Sequence, residues 1–348
     1  MKKTVFILVA LTTTLMILNA CTSAPVYTGA RSAHFDGSSF SNSIPSDKNP
    51  WDIVKLFTGF YFLKESWPNW VDAEIEPERP VERSKQLRVT FINHSTLLVQ
   101  VDNLNFLTDP IYADRASPFS WAGPKRVRSP GIAIEALPPI DAILISHNHY
   151  DHLDIDTLKA IYKRHPKDRK PIIIAGLGNG ELFQQNTLNH FVDLDWNETQ
   201  SVGSAKVTFT ESRHRSGRGA TDQMKTLWGS FVIETTQGPI YFAGDTGYGP
   251  HFKATGKRFG PFKLTLLPIG AYEPRWFMEA VHLDPEQAVL AHKDLLSEKS
   301  ISIHFGTFQL THEGINRPKL DLEIAKQKHG LKEEEFVALK FGEAILVN

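Results

Sequence analysis

The chain has 348 residues, of which 41% are hydrophobic and 22% are charged, and its formal net charge at pH 7 is −1. This length suits one large domain with an extension. The balanced charge excludes capture of nucleic acid by an overall basic field, so any recognition of a phosphate group must be local.

Residues 1–21 have the pattern of a processing segment. Two lysines precede a largely apolar run that is too short to span a bilayer comfortably. Leu18-Asn19-Ala20-Cys21 resembles a bacterial lipobox, and Cys21 is the only cysteine, so it has no disulfide partner. We therefore predict a cell-envelope lipoprotein held in the membrane by a lipid on Cys21, with plain secretion as the alternative. Thr22 after the cysteine favours the outer membrane, facing the periplasm, if the cell has two membranes.

Two segments separate this signal from the main domain. Residues 22–50 are rich in Ser, Gly, Asn and Pro without periodicity, which predicts a flexible tether. Residues 51–70 concentrate aromatic and aliphatic side chains, as in a helix that packs on an apolar surface or rests on lipid. We expect packing on the main domain, and assign residues 51–86 to an aromatic-rich N-terminal extension.

From residue 87 the pattern changes to short strands. Residues 87–91, 96–101 and 106–108 predict a β-meander that opens the main domain. His94 and Asp109 follow strands of this meander. We expect them to orient the ligands of a site rather than to bind there directly.

A polar and aromatic loop follows over residues 116–128. It contains Trp121, Lys125 and Arg126. Its cations are suited to an anionic head group, so we predict these residues as substrate contacts. Solvated loop charges are the alternative.

Residues 141–152 contain the strongest signal in the chain. An apolar run with strand character leads directly into four side chains that bind metals in proteins. These are His147, His149, Asp151 and His152. The alternative is a polar loop whose histidines bond backbone carbonyls, but such dense spacing favours a metal site.

After this motif, residues 156–164 predict a helix and residues 171–175 another buried strand. Three later strands, predicted at residues 207–210, 240–243 and 300–303, each lead to a further candidate ligand. These are His214, Asp245 and His304. Each is weak evidence alone, because a His or Asp after a strand is more often a turn or cap. Together they supply the carboxylate and the two imidazoles that a pair of metals would still need.

This set of motifs resembles the metallo-β-lactamase superfamily from about residue 87 to residue 348. The resemblance implies a four-layer αβ/βα sandwich with a dinuclear metal site at one edge. More narrowly, the sequences at residues 107–110, 123–126, 137–141, 147–154, 242–248 and 268–278 look like those of the N-acyl-phosphatidylethanolamine-hydrolysing phospholipase D family.

The resemblance also implies roles for the candidate ligands. One metal would be held by His147, His149 and His214, the other by Asp151, His152 and His304, with Asp245 between them. We expect two Zn²⁺ because imidazoles outnumber carboxylates, with iron or manganese as alternatives. Asp151, Asp245 and His282 would be the catalytic residues. His282 would contact the substrate phosphate, although a histidine at the start of a helix before Asp284-Pro285 explains it equally well.

The implied activity is hydrolysis of N-acyl-phosphatidylethanolamine, a membrane phospholipid, to phosphatidic acid and N-acylethanolamine by a homodimeric enzyme. Two alternatives stay open. The same metal pair can hydrolyse a lactone or a β-lactam, since a fold does not fix its substrate. The metal can also serve only to stabilise a non-catalytic envelope lipoprotein.

Overall fold

The computed structural model describes residues 24–44, 52, 55, 58, 59 and 63–348. The predicted signal peptide with Cys21, and residues 51, 53, 54, 56, 57 and 60–62 of the aromatic segment 51–70, lie outside these residues. Within the described part of the chain, no helix combines the length and the apolar character that crossing a bilayer demands.

The first sheet has seven strands. They are β1 (Arg88–Asn93), β2 (Thr96–Val101), β3 (Leu104–Thr108), β4 (Ala142–Ile145), β5 (Ile172–Gly176), β6 (Phe191–Leu194) and β14 (Ala344–Leu346). Their order across the sheet is β14-β1-β2-β3-β4-β5-β6. β1 to β3 form an antiparallel meander, and β3 to β6 run parallel. The predicted meander is thus confirmed.

The second sheet also has seven strands. They are β7 (Thr199–Val202), β8 (Ala205–Thr210), β9 (Ser230–Thr235), β10 (Gly238–Phe242), β11 (Leu264–Pro268), β12 (Ser300–Ile303) and β13 (Phe336–Val337). Their order is β13-β12-β11-β10-β9-β8-β7. β7 to β10 are antiparallel and β10 to β13 parallel, so β8, β10 and β12 all end at the same edge.

Six α-helices whose bounds lie within residues 63–348 accompany these sheets. They are α1 (Ile155–Arg164), α2 (Gly180–Gln185), α3 (His251–Phe259), α4 (Arg275–Met278), α5 (Pro285–Asp294) and α6 (Arg317–His329). The carboxylate of Asp154 caps α1 by accepting from two backbone N–H groups. Asp284 caps α5, and Pro285 occupies its first turn.

The side chains of β4 and β5 alternate between two cores. Leu144 and Ile174 lie in the larger cluster, which includes Phe231 of the second sheet. Ile143 and Ile173 lie in the other cluster, together with residues of α1. Since α5 packs against β11 on the second sheet, the layers are helix, sheet, sheet and helix. The predicted αβ/βα sandwich is confirmed.

The prediction of a flexible tether is wrong for residues 24–44. Phe35 and Phe40 are both 2% exposed and belong to the larger core cluster. Tyr27 packs on both rings, with centroids 5.0 and 5.4 Å away. Burial of one such ring contributes on the order of 1.5–3 kcal/mol, so these aromatic side chains anchor a segment whose overall composition indicates disorder.

Candidate metal centre

The HNHYDH loop, residues 147–152, begins where β4 ends. Ser146 places it, because its backbone N–H and its hydroxyl donate to the two carboxylate oxygens of Asp109, at 2.7 and 2.5 Å. The loop then turns back in a helical turn in which the N–H of His152 donates to the carbonyl of His149 at 3.1 Å. Three candidate ligands are thereby held in buried positions; they are His147, Asp151 and His152.

The ends of three strands of the second sheet meet this loop. His214 follows β8, Asp245 follows β10, and His304 follows β12, and all three side chains are buried. Gly244 permits the close approach of β10, since its φ is +58° and a Cβ would lie 2.4 Å from the Cβ of Ser146. The structure therefore brings all seven predicted ligands together.

His147, His149 and His214 form the first group. The Nδ1 atom of His149 lies 2.8 Å from Nε2 of His147 and 3.3 Å from Nε2 of His214. Nδ1 of His214 faces the carbonyl of Val281 at 2.8 Å, so this nitrogen is the protonated one and Nε2 carries a lone pair.

The same reasoning applies to His147. Its Nδ1 lies 3.0 Å from the hydroxyl oxygen of Ser146, which already donates its proton to Asp109. Nδ1 of His147 must then be the donor, and its Nε2 also presents a lone pair. One proton on His149 can satisfy only one of the two lone pairs that converge on it, whereas a cation satisfies all of them.

The second group joins carboxylates to imidazoles. Nε2 of His152 lies 3.3 Å from Oδ2 of Asp151 and 3.2 Å from Oδ2 of Asp245. Nε2 of His304 lies 3.3 and 3.1 Å from the same two oxygens. Nδ1 of His152 faces Asp109 at 2.7 Å, and its Nε2 has no hydrogen-bond partner in the described part of the chain. Each of these two imidazoles therefore lies within 3.3 Å of both carboxylates.

These spacings fit a small cation. Four ligands at about 2.0–2.1 Å from a tetrahedral zinc ion lie about 3.3 Å from one another. The separations between 2.8 and 3.3 Å within the two groups are close to that value. The residues present thus fit a metal site.

Electrostatics differ between the two groups. Burial lowers the pKa of all three imidazoles in the first group, to about 3 for His149 and His214, so that they are neutral and suited to bind metal. Burial also opposes charge on His304, but Asp245 and Asp151 outweigh it and raise its pKa to about 9. The second group therefore needs positive charge beside its carboxylates, which a proton or a cation provides.

The two residues predicted to orient ligands do contact them. Asp109 binds His152 as described, and Nε2 of His94 lies 3.0 Å from Oδ2 of Asp151. His94 also lies within the cluster formed by Asp151, His152 and His304. The position of His94 therefore suits either of two roles, orienting Asp151 or binding a metal ion directly.

The predicted substrate contacts lie at different distances from this centre. His282 is buried, and its Nδ1 lies 3.8 Å from Oδ2 of Asp245. Lys125 and Arg126 line a separate groove of about 410 Å³, and Trp121 is 77% exposed. The guanidinium of Arg126 is buried and donates to the carbonyls of Ala113 and Ile111. A role for these three loop residues in substrate binding stays a prediction.

The loop that carries His214 also contains a cation that the sequence reasoning missed. Arg213 donates to the carbonyl of Tyr248, and Arg218 donates to the carbonyls of Asn148 and Leu153. Arg215 is partly buried and, across the residues that the structure describes, pairs with no carboxylate or carbonyl. Its charge acts on the neighbouring imidazoles of the centre. Adjacency to His214 was the only signal available in the sequence.

Comparison with known proteins agrees with this geometry. The family model described as a beta-lactamase superfamily domain matches residues 104–305. A Caenorhabditis elegans protein named N-acyl-phosphatidylethanolamine-hydrolyzing phospholipase D 1 is 37% identical over 266 residues, which are 74% of this chain and 75% of that protein. The chain belongs to the metallo-β-lactamase superfamily.

One further relative and one solved structure of similar fold extend the comparison. The Saccharomyces cerevisiae protein named N-acyl-phosphatidylethanolamine-hydrolyzing phospholipase D, mitochondrial, is 35% identical over 251 residues; these are 70% of this chain but only 53% of that protein. A solved structure of a possible metal-dependent hydrolase from Veillonella parvula aligns with a TM-score of 0.59 at 17% identity, covering 75% of this chain and 99% of that one. It supports the fold. Family membership and the buried clusters together identify a metal-dependent hydrolase.

Proposed function

We propose that this hydrolase is a zinc-dependent phosphodiesterase that cleaves N-acyl-phosphatidylethanolamine into phosphatidic acid and N-acylethanolamine. The position of Asp245 carries the proposal. Its Oδ2 lies 3.2 and 3.1 Å from the imidazoles of His152 and His304, and 3.8 Å from that of His214. One carboxylate thus reaches both groups of ligands, as a two-metal hydrolytic centre requires. The relatives in C. elegans and yeast are named for this lipid activity.

The reaction adds water to phosphorus and breaks the bond from phosphorus to the ethanolamine oxygen, which takes up a proton. When bound, two divalent cations would lower the pKa of water and neutralise charge that builds on the phosphoryl group. The proposed ligands of one ion are His147, His149 and His214, those of the other are Asp151, His152 and His304, and Asp245 is shared. No amino-acid nucleophile is required.

His282 is placed to act on the substrate. Burial lowers its pKa, so in the free protein it is a neutral imidazole, and its Nδ1 has no partner in the described residues. A neutral imidazole offers one N–H to a phosphoryl oxygen. The anionic phosphate in turn raises the proton affinity of His282. The imidazole can then bind a second proton and deliver it to the departing ethanolamine oxygen.

Arg215 adds the positive charge that an anionic substrate needs. An unpaired guanidinium beside a cluster of imidazoles is unfavourable by itself, because partial burial removes some of its hydration and no carboxylate of the described residues compensates. A phosphodiester bound at the centre would supply the missing partner. This substrate class therefore accounts for a feature that a neutral lactone leaves unexplained.

Zinc is the metal we propose, because imidazoles outnumber carboxylates among the ligands. Elemental analysis of the purified protein distinguishes zinc from iron and manganese. A lipid anchor on Cys21, in the outer membrane of a two-membrane cell, would place the enzyme beside its insoluble substrate.

The proposal is tested by incubating the metal-replete protein with N-acyl-phosphatidylethanolamine in detergent micelles and following both products by mass spectrometry. We expect both to appear, and Asp151→Ala to abolish their formation. Turnover no faster than that of the variant would contradict the proposal, and activity confined to a lactone or chromogenic β-lactam would identify carbonyl chemistry instead.

A further inference from the structure

The segment at residues 24–44 lies along the loop that carries His214. The N–H of Ala24 donates to the carboxylate of Asp222 at 2.6 Å, that of Tyr27 to the carbonyl of Lys225 at 3.2 Å, and that of Phe40 to the carbonyl of Met224 at 2.8 Å. With the buried aromatic rings described above, these bonds make residues 24–44 a strap across the site loop.

Near its end the strap carries a side chain that forms hydrogen bonds with the backbone of a candidate metal ligand. The amide nitrogen of Asn42 donates to the carbonyl of His214 at 2.8 Å, and its amide oxygen accepts from the N–H of His214 at 3.1 Å. The indole N–H of Trp228 donates to the same oxygen at 3.0 Å. One amide thus pairs with both backbone groups of His214, as a neighbouring strand would.

The backbone bonds and the ring bond of His214 act together. Asn42 fixes the main chain, and the carbonyl of Val281 fixes the imidazole through Nδ1. In this arrangement Nε2 of His214 lies 3.3 Å from Nδ1 of His149. A ligand held in advance loses less entropy when the metal binds, and outer partners of metal ligands typically change metal affinity 10- to 100-fold.

We propose that Asn42 is a positioning residue for metal binding by His214, which makes the strap a functional part of the metal centre. The proposal rests on the metal centre but not on the identity of the substrate. It gives residues 24–44 a role that their composition does not suggest.

Two substitutions separate positioning from simple stabilisation of the fold. Asn42→Leu keeps the approximate volume and removes every hydrogen bond. Asn42→Asp keeps the acceptor for the N–H groups of His214 and Trp228 but cannot donate to the carbonyl of His214 when ionised. His34→Leu is the matched control, because it removes a strap bond of 2.6 Å to Asp195 that does not contact His214.

The experiment strips metal from the full-length variants and titrates zinc back against a chromogenic chelator. Visible spectra of the cobalt-substituted proteins report the ligand geometry. We expect both Asn42 variants to bind the ion held by His214 10- to 100-fold more weakly and to show an altered spectrum. His34→Leu should bind both ions as the wild type does.

Wild-type affinity for both ions in Asn42→Leu would overturn the proposal, as would equal weakening in His34→Leu. Thermal melts of the metal-free proteins show whether each variant is folded. If Asn42→Leu is unfolded, Asn42→Asp still tests the proposal. Because the readout is metal affinity, failure of the phospholipid assay would leave this result intact.

Discussion

Hydrogen bonds behind the ligands decide which imidazole nitrogens face the metal centre. The ring N–H groups of His214 and His147 donate to the carbonyl of Val281 and the hydroxyl oxygen of Ser146. That of His152 donates to the carboxylate of Asp109. The other ring nitrogens of these histidines carry lone pairs, and too few protons lie between them for every lone pair to accept a hydrogen bond. At the scale of single residues, these outer partners therefore turn a group of histidines into a cation site.

Asp109 provides a direct test of this point. We expect Asp109→Asn to weaken binding of the ion held by His152 about 10- to 100-fold, because the amide loses the charge that polarises the imidazole. Chelator competition measures the affinity. The control is Asp102→Asn, whose carboxylate accepts hydrogen bonds from Thr236 at the exposed end of the sheet. Equal affinity in the two variants would show that Asp109 has no influence on the metal.

Arg215 tests the choice of an anionic substrate. We expect Arg215→Gln to lower kcat/KM for N-acyl-phosphatidylethanolamine about 10- to 100-fold, since a hydrogen bond to a charged group contributes about 1.5–3 kcal/mol. The metal content should not change. Arg169→Gln, at an exposed position remote in sequence, is the control and should behave as the wild type. An unchanged kcat/KM in Arg215→Gln would exclude contact with the phosphate.

The seven candidate ligands could be predicted because each follows a strand and belongs to a recognisable motif. Asn42 and Arg215 could not. Asn42 is 172 positions away from His214 in the sequence, and nothing near it in the chain indicates that pairing. Arg215 is one of three arginines on its loop, and only the structure shows that the other two are bonded.

Among the elements, short strands and their carboxyl ends were the most predictable. Residues 96–101 and 300–303 form strands with the predicted bounds, and the helix predicted at residues 156–164 begins one residue earlier. Their hydrophobic period and capping residues are local signals. The strap was missed because three aromatic side chains fix it through contacts with distant parts of the chain.

Asp193 in β6 gives a prediction for the stability of one element. Its carboxylate accepts from the N–H groups of Gly178 and Gly180 at 2.9 and 2.8 Å, where α2 begins. Burial nevertheless raises its pKa to about 6, above the ordinary 3.8. The folded state therefore binds more protons between these values, and the stability contributed below pH 3.8 is lost as the pH rises through 6.

Asp193→Asn should remove this dependence. The quantity compared is the free energy of unfolding of the variant minus that of the wild type. We expect this difference to be about 2–3 kcal/mol more positive at pH 7 than at pH 4. Urea denaturation at the two pH values measures it. Asp168→Asn, at an exposed carboxylate, is the control substitution. A pH-independent difference for Asp193→Asn would contradict the raised pKa.

At the scale of the whole molecule, the strap links the main domain to the predicted lipid anchor. Only two residues separate Cys21 from Ala24, whose N–H bonds Asp222. An anchored chain would thus keep the His214 loop close to the membrane surface. The lipid substrate would then need to travel only a short distance to the centre.

The anchor has its own test. We expect Cys21→Ser to move the protein from the membrane fraction of its host to the soluble fraction, because a lipid chain contributes about 0.8 kcal/mol per buried methylene. Fractionation followed by immunoblotting measures this, and the catalytic activity of the released protein should persist. Unchanged membrane association would exclude lipidation of Cys21 as the anchor.

Hydrolysis in water enriched in ¹⁸O tests the central claim most directly, because it identifies the atom that the water attacks. With the metal-replete protein and N-acyl-phosphatidylethanolamine, we predict one ¹⁸O atom in the phosphate of phosphatidic acid and none in N-acylethanolamine. Label in the hydroxyl of N-acylethanolamine, or in a released fatty acid, would show attack at carbon and contradict the phosphodiesterase account.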